Sequence, residues 1–165
     1  MIVLVTGASS GFGAAMARKF VAGGHRVIAC ARRSERLAQL HGELGDALLP
    51  LTLDVTRKDS IDAGLAALSA DWRPIDVLIN NAGLALGVDP VPKALLEDWE
   101  TMIATNVAGL VTVTHRVLPE MVARGSGTVI NIGSVAGETP YPGGNVYGAT
   151  KAFVEQFTRN LRADL

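Results

Sequence analysis

The chain has 165 residues, of which 48% are hydrophobic and 19% are charged, and its formal net charge at pH 7 is -1. This composition excludes an intrinsically disordered chain, and the near-neutral charge provides no basic field for nucleic acid. No apolar run approaches the roughly 20 residues of a membrane-spanning helix, and we see no secretory leader. We therefore expect one domain over residues 1–165, located in the cytoplasm.

Short apolar runs alternate with longer amphipathic stretches along the whole chain. The apolar runs predict buried β-strands and the amphipathic stretches predict helices, a pattern typical of a parallel sheet. We predict an α/β fold of the Rossmann type: a doubly wound parallel sheet with helices on both faces and ligands beyond the carboxyl ends of its strands. The predicted strands are residues 2–6, 26–31, 48–53, 75–79 and 127–132, and the predicted helices are residues 12–23, 34–43, 58–70, 97–123 and 147–164.

Two residues predict an irregularity within the long helical stretch 97–123. Pro119 lacks a backbone N–H and should kink or interrupt the helix. Asn106 lies in an otherwise apolar segment, where a buried amide needs hydrogen-bond partners. It could break the helix locally or hold a water molecule, and a purely structural role is the alternative.

A glycine-rich segment follows the first predicted strand and leads into a helix. Glycines at this position allow a tight turn and a close approach of backbone to a ligand, and free N–H groups at the helix start favour a pyrophosphate. The spacing is G-x-x-x-G-x-G, and any glycine-rich turn between strand and helix could look similar. The segment reads Thr6, Gly7, Ala8, Ser9, Ser10, Gly11, Phe12, Gly13.

Arg32 and Arg33 directly follow the second predicted strand, and no Asp or Glu lies between Thr6 and Ser34. A site that prefers NAD usually places a carboxylate here for the ribose 2′-hydroxyl, whereas a guanidinium suits a 2′-phosphate. The arginines therefore favour NADP over NAD. The alternative is that two exposed arginines simply open the next helix.

Polar residues also follow the third and fourth predicted strands. Asp54, with Val55, could accept a hydrogen bond from an adenine amino group or could cap the helix near residue 58. Asn80 and the residues after it are short amides and a glycine that could brace the neighbouring loop and line a cofactor. The segment is Asn80, Asn81, Ala82, Gly83.

The last strand leads through a Pro- and Gly-rich loop into a helix that carries Tyr147 and Lys151. These residues are four apart and therefore share one helix face. A nearby ammonium favours the phenolate form of a tyrosine, which makes a usable general base. Ser134 ends the preceding strand and could hydrogen-bond a substrate oxygen in the same pocket. A tyrosine and a lysine at this spacing can also be an ordinary half-exposed helix face.

The combination of these motifs resembles a classical short-chain dehydrogenase/reductase. The resemblance implies that Tyr147 is the general acid/base, that Lys151 favours its phenolate form and binds the nicotinamide ribose, and that Ser134 holds the reacting oxygen. It also implies a role for Asn106 in positioning a water that relays protons from Lys151. The resemblance rests, in chain order, on Thr6-Gly7-x-x-x-Gly11-x-Gly13, Asp54, Asn80-Asn81-Ala82-Gly83, Asn106, Ser134 and Tyr147-x-x-x-Lys151.

The remaining roles that the resemblance implies concern the cofactor NADP(H). The pyrophosphate region is assigned to the glycine-rich segment, the 2′-phosphate to the two arginines, the adenine to the residues after the third strand, and the adjoining ribose to those after the fourth. The implied cofactor residues are Gly7, Ser9, Ser10, Gly11, Phe12, Gly13, Arg32, Arg33, Asp54, Val55, Asn81, Ala82, Gly83, Tyr147 and Lys151.

Three segments, residues 81–87, 97–103 and 140–153, are similar to the NADP-dependent 3-hydroxy acid dehydrogenases. This subgroup acts on L-allo-threonine, serine and related small 3-hydroxy acids and reduces malonic semialdehyde, and a homotetramer is implied. A 3-ketoacyl or general carbonyl reductase and a non-catalytic nucleotide-sensing module are the alternatives. Because family members are longer, we also expect the C-terminal strands to be lacking, leaving one sheet edge and apolar helix surface uncovered.

Overall fold

The computed structural model describes residues 1–165 and contains a five-stranded sheet in which every neighbouring pair of strands is parallel. The central strands are rich in β-branched residues and fully buried. The strands are β1 (Ile2–Thr6), β2 (Arg26–Ala31), β3 (Leu48–Thr52), β4 (Val77–Asn80) and β5 (Thr128–Asn131).

Helices connect the strands and cover both faces of the sheet. None of them is both long and apolar enough to cross a bilayer. Short 3-10 turns occupy Gly45–Ala47, Ala70–Trp72, Val91–Lys93 and Val135–Gly137. The α-helices are α1 (Gly11–Ala22), α2 (Ser34–Leu44), α3 (Lys58–Ala66), α4 (Leu96–Ile103), α5 (Leu110–Ala123) and α6 (Asn145–Asp164).

The strand order is β3-β2-β1-β4-β5, so the winding direction reverses between β1 and β4. This confirms the predicted doubly wound sheet. Ligands of such sheets bind beyond the carboxyl ends of the strands at the reversal point. The edge strand β5 alternates exposed and half-buried residues, and Ile130 is 38% exposed.

Alternate residues of each strand point to opposite faces, and two apolar clusters result. The face covered by α1 and α2, called here the α1/α2 face, buries Val3, Val5 and Leu37 among others. The opposite face, called the α3/α5 face, buries Leu4 and Leu78 together with residues of α3 and α5.

A chain of hydrogen-bonded polar side chains, called here the Asn80 chain, places α6 on the α3/α5 face; Asn80 and Thr114 are buried, and Asn131 and Thr158 are half-buried. Asn80 Nδ2 donates to Thr114 Oγ1 of α5 and to Asn131 Oδ1, both at 2.8 Å. Asn131 Nδ2 donates to Thr158 Oγ1 of α6 at 2.9 Å. Since Asn80 and Asn131 are register partners in β4 and β5, α5 and α6 lie on the same face.

The predicted irregularity in residues 97–123 is present as a π-helical segment, Ala104–Gly109, between α4 and α5. This segment contains Asn106, in agreement with the expectation that Asn106 breaks the α-helix locally. Pro119 does not interrupt the helix, because α5 continues through it to Ala123, and the alternative of a kink at Pro119 stays a prediction. Pro119 and His115, whose carbonyl loses its helical partner, both lie on the exposed side of α5, where water can satisfy that carbonyl.

Candidate active site

A cavity of about 600 Å³ lies at the carboxyl ends of the strands, where the order reverses. It brings together residues from five separate loops and from α6. All the predicted site residues line it except Gly13 and Asn106. The predicted residues in its wall are Gly7, Ser9, Ser10, Gly11, Phe12, Arg32, Arg33, Asp54, Val55, Asn81, Ala82, Gly83, Ser134, Tyr147 and Lys151.

The glycine-rich turn forms one wall of this cavity. Gly7 and Gly11 have positive φ angles of 67° and 54°, a region that other residues rarely adopt. A Cβ at Gly7 would lie 2.9 Å from Ala82 Cα, so this turn packs directly on the segment after β4. A Cβ at Gly11 would meet nothing within 4 Å, so the start of α1 is open to the cavity.

Gly13 does not line the cavity, and its role as a cofactor residue stays a prediction. It is buried, and a Cβ there would collide with the Gly7 carbonyl oxygen and lie 2.6 Å from Asn81 Nδ2. The absent side chain lets α1 pack against its own preceding turn. Its effect on the site is therefore indirect.

Thr6 and Asn81 join the loops after β1 and β4. Thr6 Oγ1 accepts hydrogen bonds from the backbone N–H groups of Asn81 and Ala82, each at 3.0 Å. Asn81 Nδ2 donates to the carbonyl oxygens of Thr6 at 2.9 Å and Gly7 at 3.3 Å. Asn81 thus braces the neighbouring loop as predicted, and its side-chain oxygen remains for a ligand.

The two arginines after β2 differ in how firmly they are held. Arg33 Nη2 donates to the hydroxyls of Ser9 and Ser10, both at 2.9 Å, and its Nε also donates to Ser9 at 3.2 Å. The guanidinium is thereby fixed beside the glycine-rich turn. Arg32 lines the same part of the cavity and is exposed. Both positive charges therefore border one end of the cavity.

Asp54 stabilises its own turn and does not cap α3, so the capping alternative is wrong. Its Oδ1 accepts hydrogen bonds from the backbone N–H of Thr56 at 2.9 Å and from the Thr56 hydroxyl at 2.8 Å. The residue that precedes α3 is Arg57, and its side chain makes no capping hydrogen bond. The second carboxylate oxygen of Asp54 remains available at the cavity wall.

Tyr147 and Lys151 face the opposite end of the cavity from α6. Lys151 is buried at 8% exposure, and its Nζ donates to the Ile132 carbonyl oxygen at 2.7 Å. Burial lowers the pKa of its ammonium group from the ordinary value. The ammonium lies 6.0 Å from the centroid of the Tyr147 ring, so a positive charge borders the phenol.

Ser134 lies in the turn after β5, three residues beyond the end of that strand. Its Oγ accepts a hydrogen bond from the backbone N–H of Ala136 at 3.2 Å. Because the hydroxyl accepts here, its own proton remains free for donation into the cavity. Ser134 can therefore donate a hydrogen bond to a substrate oxygen.

Asn106 lies behind the wall formed by Gly83 and Leu84. Its Oδ1 accepts from Leu84 N and its Nδ2 donates to Leu84 O, both at 2.9 Å, and Nδ2 also donates to Thr150 Oγ1 at 3.0 Å. Both amide donors are used, so only Oδ1 or the backbone carbonyl could hold a water. A Cβ at Gly83 would lie 3.3 Å from this Oδ1 and 3.6 Å from Lys151 Nζ.

Sequence reasoning missed two participants of this centre, the Ile132 carbonyl and the Thr150 hydroxyl. The carbonyl carried no signal, because every residue has one. Thr150 carried a weak signal, since it lies between the two motif residues on α6 and one turn after Tyr147. Other residues that line the cavity and were not predicted are Cys30, Ala31, Leu53, Thr56, Leu84, Ala85, Thr105, Ile132 and Gly133.

The reversed parallel sheet, the glycine-rich turn and the Ser134, Tyr147 and Lys151 group are features of one protein class, and the family model for short chain dehydrogenases matches residues 1–165. The chain belongs to the short chain dehydrogenase family, which confirms the resemblance inferred from its motifs.

Individual relatives are considerably more similar than family membership requires. The chain is 61% identical over 165 residues to the NADP-dependent 3-hydroxy acid dehydrogenase YdfG of Salmonella typhi, and 52% identical over 163 residues to the serine 3-dehydrogenase of Agrobacterium fabrum. These alignments cover 100% and 99% of this chain. The chain spans about two thirds of the length of these curated relatives, 66% and 65% respectively.

A solved structure described as the closed form of serine dehydrogenase complexed with NADP+ superposes with a TM-score of 0.99 at 61% identity. The match covers 100% of this chain and 66% of the solved one.

Proposed function

We propose that this protein is an NADP-dependent oxidoreductase that interconverts a secondary alcohol and a carbonyl. The observation that carries the proposal is the single cavity with two arginines at one end and Ser134, Tyr147 and Lys151 at the other. A dinucleotide needs an anion site and a reaction site at its two ends, and this cavity offers both.

The residues of the cavity fit NADP in charge and in hydrogen-bonding groups. The open start of α1 presents backbone N–H groups suited to a pyrophosphate. The guanidinium of Arg33, fixed by two serines, and the neighbouring Arg32 suit a 2′-phosphate, and the chain has no Asp or Glu between Thr6 and Ser34 to hold an unmodified ribose. Asp54 and Val55 then border the adenine end, and Asn81, Ala82 and Gly83 border the ribose and nicotinamide end.

The acid–base chemistry belongs to α6 and the turn after β5. In oxidation, Tyr147 as phenolate takes the proton of the substrate hydroxyl, and in reduction it returns that proton to the carbonyl oxygen. Lys151 places a positive charge 6.0 Å from the centroid of the Tyr147 ring, and the Ser134 hydroxyl donates a hydrogen bond to the reacting oxygen. The bound nicotinamide supplies the hydride acceptor or donor.

We infer that the substrates are small 3-hydroxy acids, such as L-allo-threonine, serine and 3-hydroxypropionate, and their 3-oxo acids or semialdehydes. The names of the relatives at 61% and 52% identity support this inference. A comparison of kcat/KM for L-allo-threonine and for reduction of a 3-ketoacyl thioester tests it. A preference for the thioester would instead identify a 3-ketoacyl or general carbonyl reductase.

The cofactor is tested by titrating NADP+ and NAD+ into the purified protein and into the double variant Arg32→Ala/Arg33→Ala. Loss of the charged hydrogen bonds should raise the Kd for NADP+ by about 10-fold or more and leave that for NAD+ nearly unchanged. Arg36→Ala removes one arginine charge from α2 outside the cavity and should alter neither Kd. An unaltered preference in the double variant would contradict the cofactor proposal.

The reaction is tested with Tyr147→Phe, which removes only the phenolic oxygen. We expect kcat to fall by about 10²- to 10⁴-fold while the Kd for NADP+ stays similar. Tyr141→Phe, on an exposed loop residue, is the matched control and should keep its turnover. Cofactor binding without turnover in the unmodified protein would favour the non-catalytic nucleotide-sensing module.

We further propose a homotetramer in the cytoplasm, as the family resemblance implies. Light scattering after size-exclusion chromatography gives the assembly mass directly. A mass of one chain, 17.3 kDa, would contradict the tetramer.

A further inference from the structure

Thr150 makes the side-chain hydrogen bond that joins α6 to the π-helical segment. It is buried at 3% exposure, directly before Lys151. Its Oγ1 donates to the Tyr147 carbonyl oxygen at 2.8 Å and accepts from Asn106 Nδ2 at 3.0 Å. One hydroxyl thereby connects the backbone of the Tyr147 turn to the side chain of Asn106.

Asn106 extends this connection to the cavity wall. It pairs with both backbone groups of Leu84, which follows Gly83. The route from Thr150 through Asn106 to Leu84 therefore joins three parts of the molecule: α6, the π-helical segment and the loop after β4. Lys151 Nζ and Asn106 Oδ1 both lie beside Gly83 at the end of this route.

The direction of each hydrogen bond fixes the orientation of the Asn106 amide. The only proton of the Thr150 hydroxyl goes to the Tyr147 carbonyl, so the hydroxyl presents a lone pair to Asn106 and requires a donor there. The two backbone groups of Leu84 impose the same orientation. As a result the oxygen of the amide, the negative end of its dipole, lies on the side of Gly83 and Lys151.

We propose that Thr150 is a positioning residue for the reaction, a role that rests on the proposed function. Its hydroxyl holds Asn106, and with it Leu84 and Gly83, at a fixed place relative to Tyr147 and Lys151. Threonine suits this task because its branched Cβ restricts the rotation of the hydroxyl. Small displacements of catalytic groups reduce turnover strongly, so a loss of this tether should appear in kcat.

The test compares Thr150→Val with Thr150→Ser. Valine keeps the volume and removes both hydrogen bonds, which leaves one buried donor of Asn106 unpaired. Serine keeps the hydroxyl. Thr112→Val is the matched control, because the Thr112 hydroxyl also donates to a carbonyl one turn back, that of Ala108 at 2.8 Å, and lies outside the cavity.

Four quantities are measured: kcat and KM with NADP+ and L-allo-threonine or serine, the pH profile of kcat, and hydrogen exchange of the Leu84 amide. We expect Thr150→Val to lower kcat by about 10-fold or more, to change KM by less than about threefold, to displace the pH profile and to speed Leu84 exchange. Thr150→Ser should restore all of these, and Thr112→Val should alter none.

A Thr150→Val protein that keeps the kcat, the pH profile and the slow Leu84 exchange overturns the proposal, whatever its thermal stability. A loss of kcat that serine does not restore overturns it as well, because the hydroxyl is then not the cause. Failure of the proposed function is distinguishable: the unmodified protein would show no NADP-dependent turnover, whereas Leu84 exchange would still report whether Thr150 holds Asn106.

Discussion

The two faces of the sheet bury different kinds of side chain. The cluster on the α1/α2 face is entirely apolar, and neither α1 nor α2 contributes a buried polar residue. The α3/α5 face combines an apolar cluster with the Asn80 chain, and α6 on that face adds Thr150 and Lys151.

This difference follows from what each half supplies to the site. The α1/α2 half contributes backbone turns and two surface arginines, so its interior remains free for packing alone. The α3/α5 half contributes side chains that project from within helices, and these must be buried, oriented and hydrogen-bonded. We therefore expect damage on the first face to affect stability, and damage on the second to affect stability and turnover together.

The largest expected loss of stability comes from the apolar face. Leu37 is fully buried in α2, and Leu37→Ala should lower the free energy of unfolding by about 2–5 kcal/mol through lost burial and a cavity. Urea denaturation measures this change, and kcat per folded molecule should be retained. Gln39→Ala, on the exposed side of α2, should change stability by less than about 0.5 kcal/mol. A loss of kcat in folded Leu37→Ala would remove the contrast between the faces.

Breaking the Asn80 chain should cost about 1–3 kcal/mol. Asn131→Leu leaves the buried Asn80 Nδ2 with one partner fewer and the hydroxyl of the half-buried Thr158 without its donor. Thermal and urea unfolding measure the loss. The exposed Ile130 on the opposite side of β5 provides the control Ile130→Leu, which should be nearly neutral. Equal stability of Asn131→Leu and the unmodified protein would show that the Asn80 chain contributes nothing to the free energy of unfolding.

Two helical glycines should respond in opposite directions to alanine. A Cβ at Gly148 of α6 would lie 2.7 Å from the Ala136 carbonyl oxygen, so Gly148→Ala should lose about 1–3 kcal/mol and also displace the neighbouring Tyr147. A Cβ at Gly42 of α2 would meet nothing within 4 Å, so Gly42→Ala should gain about 0.5–1 kcal/mol. Unfolding curves and kcat of both variants test the two predictions. A Gly148→Ala protein that is as stable and as active as the unmodified protein would refute the prediction for Gly148.

The smallest effect concerns the pH dependence of stability. Burial lowers the pKa of Lys151 below the ordinary value of 10.5, so between that lowered pKa and 10.5 the unfolded chain binds more protons than the folded one. Stability from this group therefore rises with pH across that window. Relative to Lys151→Met, the unmodified protein should gain free energy of unfolding as pH approaches 10.5. Urea denaturation of both proteins at several pH values checks this, and a constant difference would contradict it.

Local patterns were sufficient for most of the fold. Runs of β-branched and aliphatic residues located all five strands to within a few residues, because strands buried on both faces require continuous apolar sequence. The same reasoning placed a break in residues 97–123 but could not choose between Asn106 and Pro119 as its cause. That choice depended on exposure: Pro119 lies on the solvent side of α5, whereas Asn106 is buried and bonded to Leu84.

The candidate site could be predicted from the sequence as well as the fold could. Its residues follow the strands, and the carboxyl ends of parallel strands meet at one edge, so positions in the sequence were enough to group them. The roles of individual residues were harder to predict from the sequence. Gly13 packs against Gly7 and does not line the cavity. Asp54 accepts a hydrogen bond from Thr56 and does not cap α3. These contacts depend on how the chain folds in space, which the motifs alone do not specify.

The sequence by itself determined the class of fold, the edge of the sheet that carries the site, and the chemical groups available there, because these follow from local patterns and strand polarity. Only the tertiary structure decided which groups are joined. The bond from Thr150 to Asn106 spans 44 positions of the chain, and the donation of Lys151 to the Ile132 carbonyl involves a backbone group that every residue shares. Such contacts depend on the packing of α6 against its neighbours, which no local pattern specifies.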